Sequence, residues 1–431
     1  MALATDTIPV PETRRATLRL PVGDIVVLLG VVVFGTNILE VTLRGGPLGQ
    51  LVGPIYMLTY GLGFLFAALS GAIPRALLAN PLLAVLLFLP LLSALWSVDP
   101  NMTLFRTLML MGSSAFGLFI GWHYDRTRLI RLLGIGVSIN LAICAFLIVT
   151  VPSIGIDHTD AWGGTWIGAY MHKNGFGAGV GVAMLVLFYA IATSKGALRL
   201  GFLLFFALAC VLLIGSRSAT SLVVALIGLL LAGLFRAWQT ARGLTLASLL
   251  AVLFFGPLLV ILLSQQDLAA LVFDGLEKDA TASGRTDIWQ LVWPYMMDRF
   301  WLGYGYGSFW QPGFPWFNQL QARLYYAPFY SHNGIVELWI AGGAVSVGIA
   351  IYVFLSAVLK STVLALRERH EPAAAFALVF FVSFAFRNIT EASLLQANDF
   401  IWILFVALLL SIAKNVSFRF KSTSLERDLN G

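Results

Sequence analysis

Charge is what this chain has least of. Only 11% of its 431 residues are Asp, Glu, Lys or Arg, against 59% hydrophobic ones, whereas soluble domains carry about 25% charged residues. That shortage, with a mean hydropathy of +0.87, excludes a water-soluble fold: there is too little polar surface to show to water. Cysteine is nearly absent. Cys144 and Cys210 both sit inside apolar runs, so a disulfide framework is excluded and the two thiols read as small packing residues. The chain lacks a Walker sequence, a nucleophile elbow, a paired-histidine zinc pattern and an Asp-x-Asp pair. No phosphate-loop nucleotide chemistry, serine-elbow hydrolysis or metal-held nucleotide sugar is expected, and neither a metal nor a cofactor. The net charge of +6 does not point to nucleic acid, because the basic residues form no patch and lie in short connections between apolar runs.

What is present is a series of apolar runs of membrane-spanning length, about 20 residues each. Twelve are expected, at about 24–42, 51–73, 79–96, 103–122, 129–151, 174–193, 198–214, 218–235, 243–263, 334–359, 372–387 and 396–413. Backbone groups in lipid must be satisfied within the segment, so these runs are helices. The expected fold is all-α, a polytopic integral membrane protein. It divides into an N-terminal tail 1–23, spans one to nine over 24–263, a large loop 264–333, spans ten to twelve over 334–413, and a tail 414–431. The polar segment to Arg19 precedes a stretch long enough to span, which argues for a first helix and against a cleaved signal.

An even count puts both termini on one side. If that side is the cytoplasm, 18 of the 27 Lys and Arg fall there, among them Arg75, Arg126, Arg128, Arg131, Lys195, Arg367 and Lys414, as the positive-inside rule requires. The nine exceptions include Arg106, Lys173, Arg217, Arg285, Arg323 and Arg387. Span parity gathers the unusual polar residues on the external face: His172-Lys173-Asn174, Ser216-Arg217-Ser218, Ser283-Gly284-Arg285 with Trp289, Ser331-His332-Asn333, and Arg387-Asn388 followed by Thr390-Glu391. The loop that carries several of them is rich in Trp, Tyr, Phe and Gly, and Ile288, Trp289, Leu291, Val292 and Tyr295 follow helical spacing. A folded cap with amphipathic helices is expected. Its rings serve equally as interfacial anchors.

Each of these residues admits a bland use and a chemical one. Arg217 is either a snorkelling helix-end cation or an anion ligand, since a guanidinium fork matches phosphate oxygens. Arg285 and Arg387 offer the same fork, and Lys173 a point charge. His332 is either a hydrogen-bonded structural histidine or a general base. Glu337 and Glu391 are carboxylates near membrane depth that could orient His332 or hold an arginine. A carrier would instead need charges along a central path between repeats. Here they gather at one face, and no repeat is visible.

From Leu83 to Phe405 the chain resembles the O-antigen ligase and polymerase superfamily. The marks are Trp96-Ser97-x-Asp99-Pro100 with Arg106, His172-Lys173-Asn174 with Gly177, Ser216-Arg217-Ser218, Ser283-Gly284-Arg285 with Trp289, Gly303-x-Gly305, His332-Asn333 and Thr390-Glu391. Within it, the His-Lys-Asn and Thr-Glu-x-Ser pieces look most like exopolysaccharide polymerases of the ExoQ type. The resemblance implies a metal-independent, GT-C-like glycosyltransferase in the bacterial inner membrane. It implies a large periplasmic loop and a polyprenyl-diphosphate-linked oligosaccharide as substrate, with chain-length regulators and export proteins as further partners. It implies that Arg217 and Arg285 engage the diphosphate, supported by Lys173 and Arg387. His332 would activate the acceptor with Glu337 and Glu391, and His172, Asn174, Asn333 and Trp289 would bind substrate. Two departures separate the chain from ligases: Ser346 stands where the second glycine after the histidine motif is expected, with Gly343 in the first place, and Leu222 comes one position late after Arg217.

Overall fold

The computed structural model describes residues 21–43, 46–159, 163–240, 281–324 and 328–429. Among them all regular structure is helical, apart from one isolated bridge between Ile156 and Trp166. In chain order the helices are α1 (Pro21–Gly35), α2 (Ile38–Leu43), α3 (Val52–Leu69), α4 (Ala72–Ala79), α5 (Pro81–Leu92), α6 (Pro100–His123), α7 (Arg126–Thr150), the single turn α8 (Pro152–Gly155), α9 (Lys173–Thr193), α10 (Gly196–Gly215), α11 (Ala219–Thr240), α12 (Thr281–Asp298), α13 (Pro315–Leu324), α14 (Gly334–Arg367), α15 (Pro372–Thr390) and α16 (Phe400–Leu429).

Among the described residues, eight helical segments are long and apolar enough to cross a membrane. To these are added one bent pair, Ala72–Ala79 with Pro81–Leu95, and two shorter apolar helices, Val22–Gly35 and Phe400–Lys414. The chain is an all-α polytopic membrane protein. The expected ninth span, 243–263, lies outside the described residues, as do residues 1–20 of the N-terminal tail and 264–280 of the long connection. The expected third span, 79–96, is not straight: α4 and α5 meet at 108°. The cause is local. Pro81 cannot donate and disfavours helical geometry in the residue before it, and Asn80 accordingly sits at φ −144, ψ 72.

Contacts sort the helix ends into two sets. At one end Arg126 pairs with Glu368, Arg128 with Asp24 at 2.7 Å, Arg131 reaches the Thr193 carbonyl, and Lys414 donates to the Trp122 carbonyl at 2.9 Å. At the other end Asn37 N donates to Ala169 O at 2.8 Å, Trp166 N to Gly215 O at 3.0 Å, and Val98 N to Tyr304 O at 3.0 Å. The second end holds the start of α9, the α10–α11 turn, α12, the start of α14 and the end of α15, so span parity and tertiary contact agree on which connections are neighbours.

The apolar half of α16, Phe400–Ala413, is buried on every face. It can sit at the centre because α6 offers it no side chains at two successive turns. A Cβ on Gly117 would stand 2.7 Å from Ile403 O, and one on Gly121 2.2 Å from Ala407 O. Small residues four apart permit this close helix approach within a membrane.

One break positions the site. α14 is interrupted at Gly343, whose φ of 67 and ψ of −173 are not helical. Segment 300–305 is stitched into the gap: Tyr304 N and Gly305 N donate to Ile340 O and Ala341 O at 2.8 and 3.0 Å, while Ala344 N and Val345 N donate to Phe300 O and Trp301 O at 2.8 and 3.4 Å. The backbone groups freed by the kink are thus satisfied, and the half-helix Gly334–Gly342 is locked to the chain that follows α12.

Candidate active site

The residues singled out from the sequence converge mainly on one carboxylate. Glu391 follows the last turn of α15, and its backbone N–H donates to Arg387 O at 2.8 Å. Its side chain is buried. Oε1 pairs with Arg285 Nη2 of α12 at 3.0 Å and accepts from Asn174 Nδ2 of α9 at 3.5 Å. Oε2 faces His332 Nδ1 at 3.3 Å and accepts from Tyr330 OH at 3.2 Å. Burial alone would raise the pKa of this carboxyl, but the His332 hydrogen bond and the charges of His332, Arg285 and Arg387 outweigh it and hold the pKa at about 2. Glu391 is therefore an anion throughout the neutral range. An anion facing Nδ1 keeps the proton of a neutral imidazole there, which leaves Nε2 as the basic nitrogen.

Each arm of the cluster is fixed from behind. Asn174 is held by Ser218, whose hydroxyl donates to its Oδ1 at 3.0 Å, and Ser221 hydrogen-bonds the Asn174 carbonyl at 3.4 Å. A Cβ on Gly177 would stand 2.8 Å from Ser221 Cβ, so that glycine permits the α9–α11 contact. His172 caps α9, its Nδ1 accepting from Asn174 N at 3.2 Å. Burial pushes its imidazole below the ordinary value, aided by Lys173 and His332 and opposed by Glu391 and Asp157.

His332 lies in a short clamp. Trp289 Nε1 donates to Ser331 O at 2.8 Å, and Ser331 N donates to Glu337 Oε2 at 2.9 Å. Asn333 caps α14 through Oδ1 to the N–H groups of Ile335 and Val336, at 2.9 and 3.1 Å, while its Nδ2 donates to Ile389 O at 3.1 Å and ties the cap to α15. The Tyr330 and His332 rings are 4.1 Å apart. Replacing Asn333 by Ala should cost about 1–2 kcal/mol, the worth of a helix cap, and thermal unfolding in detergent would record it. Asn333→Asp keeps the cap acceptor and should recover most of the loss.

Other sequence-derived candidates fall elsewhere. Glu337 does not join Glu391; both its oxygens receive Trp310 Nε1, at 2.9 and 3.2 Å, as well as Ser331 N. It stands behind His332 as a support. Arg387 donates from Nε to Ser393 Oγ at 2.9 Å and acts on Glu391 by charge. Lys173 is buried in the first turn of α9. Arg217 points outward from the α10–α11 turn, exposed, beside the buried Ser216 and Ser218, and no carboxylate pairs with it among the described residues.

Tyr330 was not among the sequence-derived candidates, because in an aromatic-rich loop a tyrosine reads as an interfacial anchor. The only signal was its place two residues before His332. Burial raises its phenol, and the neighbouring Glu391 raises it further, so the hydroxyl remains a donor. Among the described residues, the non-glycine positions with left-handed φ are Arg217, His332, Leu395 and Asn398. Two are candidate residues and two lie in the connection after Glu391. Such strain costs about 1–3 kcal/mol at each position and gathers at functional sites.

The structure thus defines a class: a multi-pass helical membrane protein with a buried ionic cluster at one end of its bundle. The comparisons narrow it. Residues 202–353 match the model of a family described as O-Antigen ligase, which supports the ligase and polymerase superfamily. The matched stretch contains Arg217, Arg285, Trp289, His332, Asn333 and Glu337 and leaves Lys173, Asn174, Arg387 and Glu391 outside. No curated protein matches the chain.

Proposed function

We propose that the chain is a polysaccharide polymerase of the bacterial inner membrane. It would join polyprenyl-diphosphate-linked oligosaccharide units on the periplasmic face, on a GT-C-like framework. The observation that carries this reading is the His332–Glu391–Arg285 arrangement, in which one buried anion orients a histidine and an arginine contributed by separate segments. His332 Nε2 takes the proton of an acceptor sugar hydroxyl. The acceptor oxygen forms a bond to the anomeric carbon of the donor, and the bond from that carbon to the diphosphate oxygen breaks, leaving the diphosphate on its lipid. A single displacement of this kind inverts the anomeric configuration.

Arg285 and Arg217 stabilise the leaving diphosphate. Arg285 spends Nη2 on Glu391, and its buried Nε has no hydrogen-bond partner among the described residues, which suits a guanidinium with a donor to give. Arg217 supplies an exposed cation with no carboxylate partner among the described residues, and Arg387 and Lys173 supply further positive charge. Removing a donor to developing negative charge lowers turnover by about 10²- to 10³-fold. Arg217→Ala and Arg285→Ala should each abolish long polymer in a complementation assay. Normal chain length from either variant, stably expressed, would remove that arginine from the mechanism.

The family description favours a second reading, a ligase that transfers finished glycan to lipid A core. A null strain separates the two: single repeat units accumulate if a polymerase is lost, free long polymer if a ligase is lost. Reconstitution with purified lipid-linked units tests both against a carrier, which would form no glycosidic bond.

A further inference from the structure

We propose that the elbow between α4 and α5 binds an anionic phospholipid, in the leaflet at the bundle end opposite Glu391. The elbow opens on a cleft whose walls are almost wholly apolar, formed by Phe64 of α3, Leu77 of α4, Leu83 and Leu87 of α5, and Met111 and Leu118 of α6. Phe64, Leu77 and the neighbouring Phe88 are 37%, 42% and 44% exposed, so the cleft faces outward and admits a hydrocarbon chain laterally.

The corner of the elbow, between Leu77 and Leu83 of the cleft wall, carries two polar donors. Asn80, at the corner, has a buried Nδ2 with no hydrogen-bond partner among the described residues. Its Oδ1 accepts from Lys360 Nζ of α14 at 3.3 Å, and among the described residues no carboxylate pairs with Lys360. An ammonium and an amide group therefore meet at the corner of the elbow, three residues from Leu77 and from Leu83 of the apolar wall. A phosphate group satisfies both donors, and an acyl chain on the same molecule fills the cleft. Arg75 on α4 adds positive charge to that end; its guanidinium lies 5.0 Å over the Trp122 ring and donates to the Ser70 and Gly71 carbonyls. A net anionic headgroup is favoured over a zwitterionic one, whose own ammonium competes with Lys360. The inference is independent of the polymerase reading, because it concerns the other end of the bundle.

Native mass spectrometry of the full chain in mild detergent tests it, with phosphatidylglycerol and phosphatidylcholine of matched chains. One lysine near a membrane surface supports a preference of about fivefold for the anionic lipid. Lys360→Gln should remove that preference and Lys360→Arg keep it. Ala84→Phe, which fills the cleft, should lower retention of both lipids. Thermal unfolding identifies variants that remain folded. Equal retention of both lipids by the wild type, an unchanged preference in folded Lys360→Gln, or stabilisation by inorganic phosphate equal to that by phosphatidylglycerol would overturn the proposal.

Discussion

Glu391→Gln is expected to lower glycan transfer by at least about 10²-fold, the range over which a positioned acid–base group contributes, while leaving the protein inserted in the membrane. Glutamine has nearly the same shape as glutamate, so packing against Tyr330 and Asn174 persists. The charge does not. Arg285 becomes a buried cation without its counter-ion, and removing one partner of such a pair costs about 3–5 kcal/mol. The His332 imidazole loses the anion that fixes its tautomer. Two measurements distinguish this from a merely structural loss. The first is the pH profile of transfer, which should change shape as well as height.

The second is stability against pH. The carboxyl of Glu391 lies at about 2 in the folded protein against an ordinary 4.5. Because the folded value is depressed, its contribution is fully present above about 4.5 and is lost as pH falls toward about 2. Thermal unfolding in detergent should show that decline for the wild type and a flatter curve over the same interval for Glu391→Gln. A variant that keeps wild-type transfer would remove Glu391 from the mechanism.

Gly343→Val should be the most disruptive single change in α14. A Cβ there would stand 2.1 Å from both C and O of Trp301, and the backbone has φ 67 with ψ −173, a region essentially reserved for glycine. Either the helix straightens or segment 300–305 leaves it. Both outcomes break the four backbone hydrogen bonds that stitch the gap, each worth about 0.5–1.5 kcal/mol net. The half-helix that begins one residue after Asn333 then shifts, and His332 with it. A displacement of about 1 Å at a reacting group can cost about 10²-fold in rate, so transfer should fall at least that far, with a lower unfolding temperature. Gly348→Ala, five residues on in the same helix, meets nothing within 4 Å and should be neutral or stabilising by up to about 1 kcal/mol. Equal behaviour of the two variants would dismiss the interlock as a positioning device.

Much of the site was visible as a set but not as an arrangement. Arg285, His332, Asn174 and Glu391 could be placed at one end of the bundle by counting spans. That Glu391 rather than Glu337 receives the histidine and the arginine could not. The two carboxylates look alike in the sequence, yet the partners of Glu391 lie 59, 106 and 217 residues away, and Glu337 is taken up by Trp310 and Ser331. Gly343 was legible only as a motif position. Its strained backbone becomes apparent once Trp301 is seen packed against it. The bend at Asn80-Pro81, by contrast, has a cause within two residues and could have been anticipated from proline chemistry.

The sequence by itself determined that this is a helical protein of the membrane and which connections share an end. The reason is that hydrocarbon acts on each apolar run separately: every span must close its own backbone hydrogen bonds, and each crossing reverses the side. Tertiary structure alone decided that Arg285 and His332 meet over Glu391, that Arg217 stays outside that cluster, and that α14 opens at Gly343 to take in the chain after α12. Those outcomes depend on side chains from distant spans competing for a few buried positions, where close packing and the cost of an unpaired charge select one set of partners.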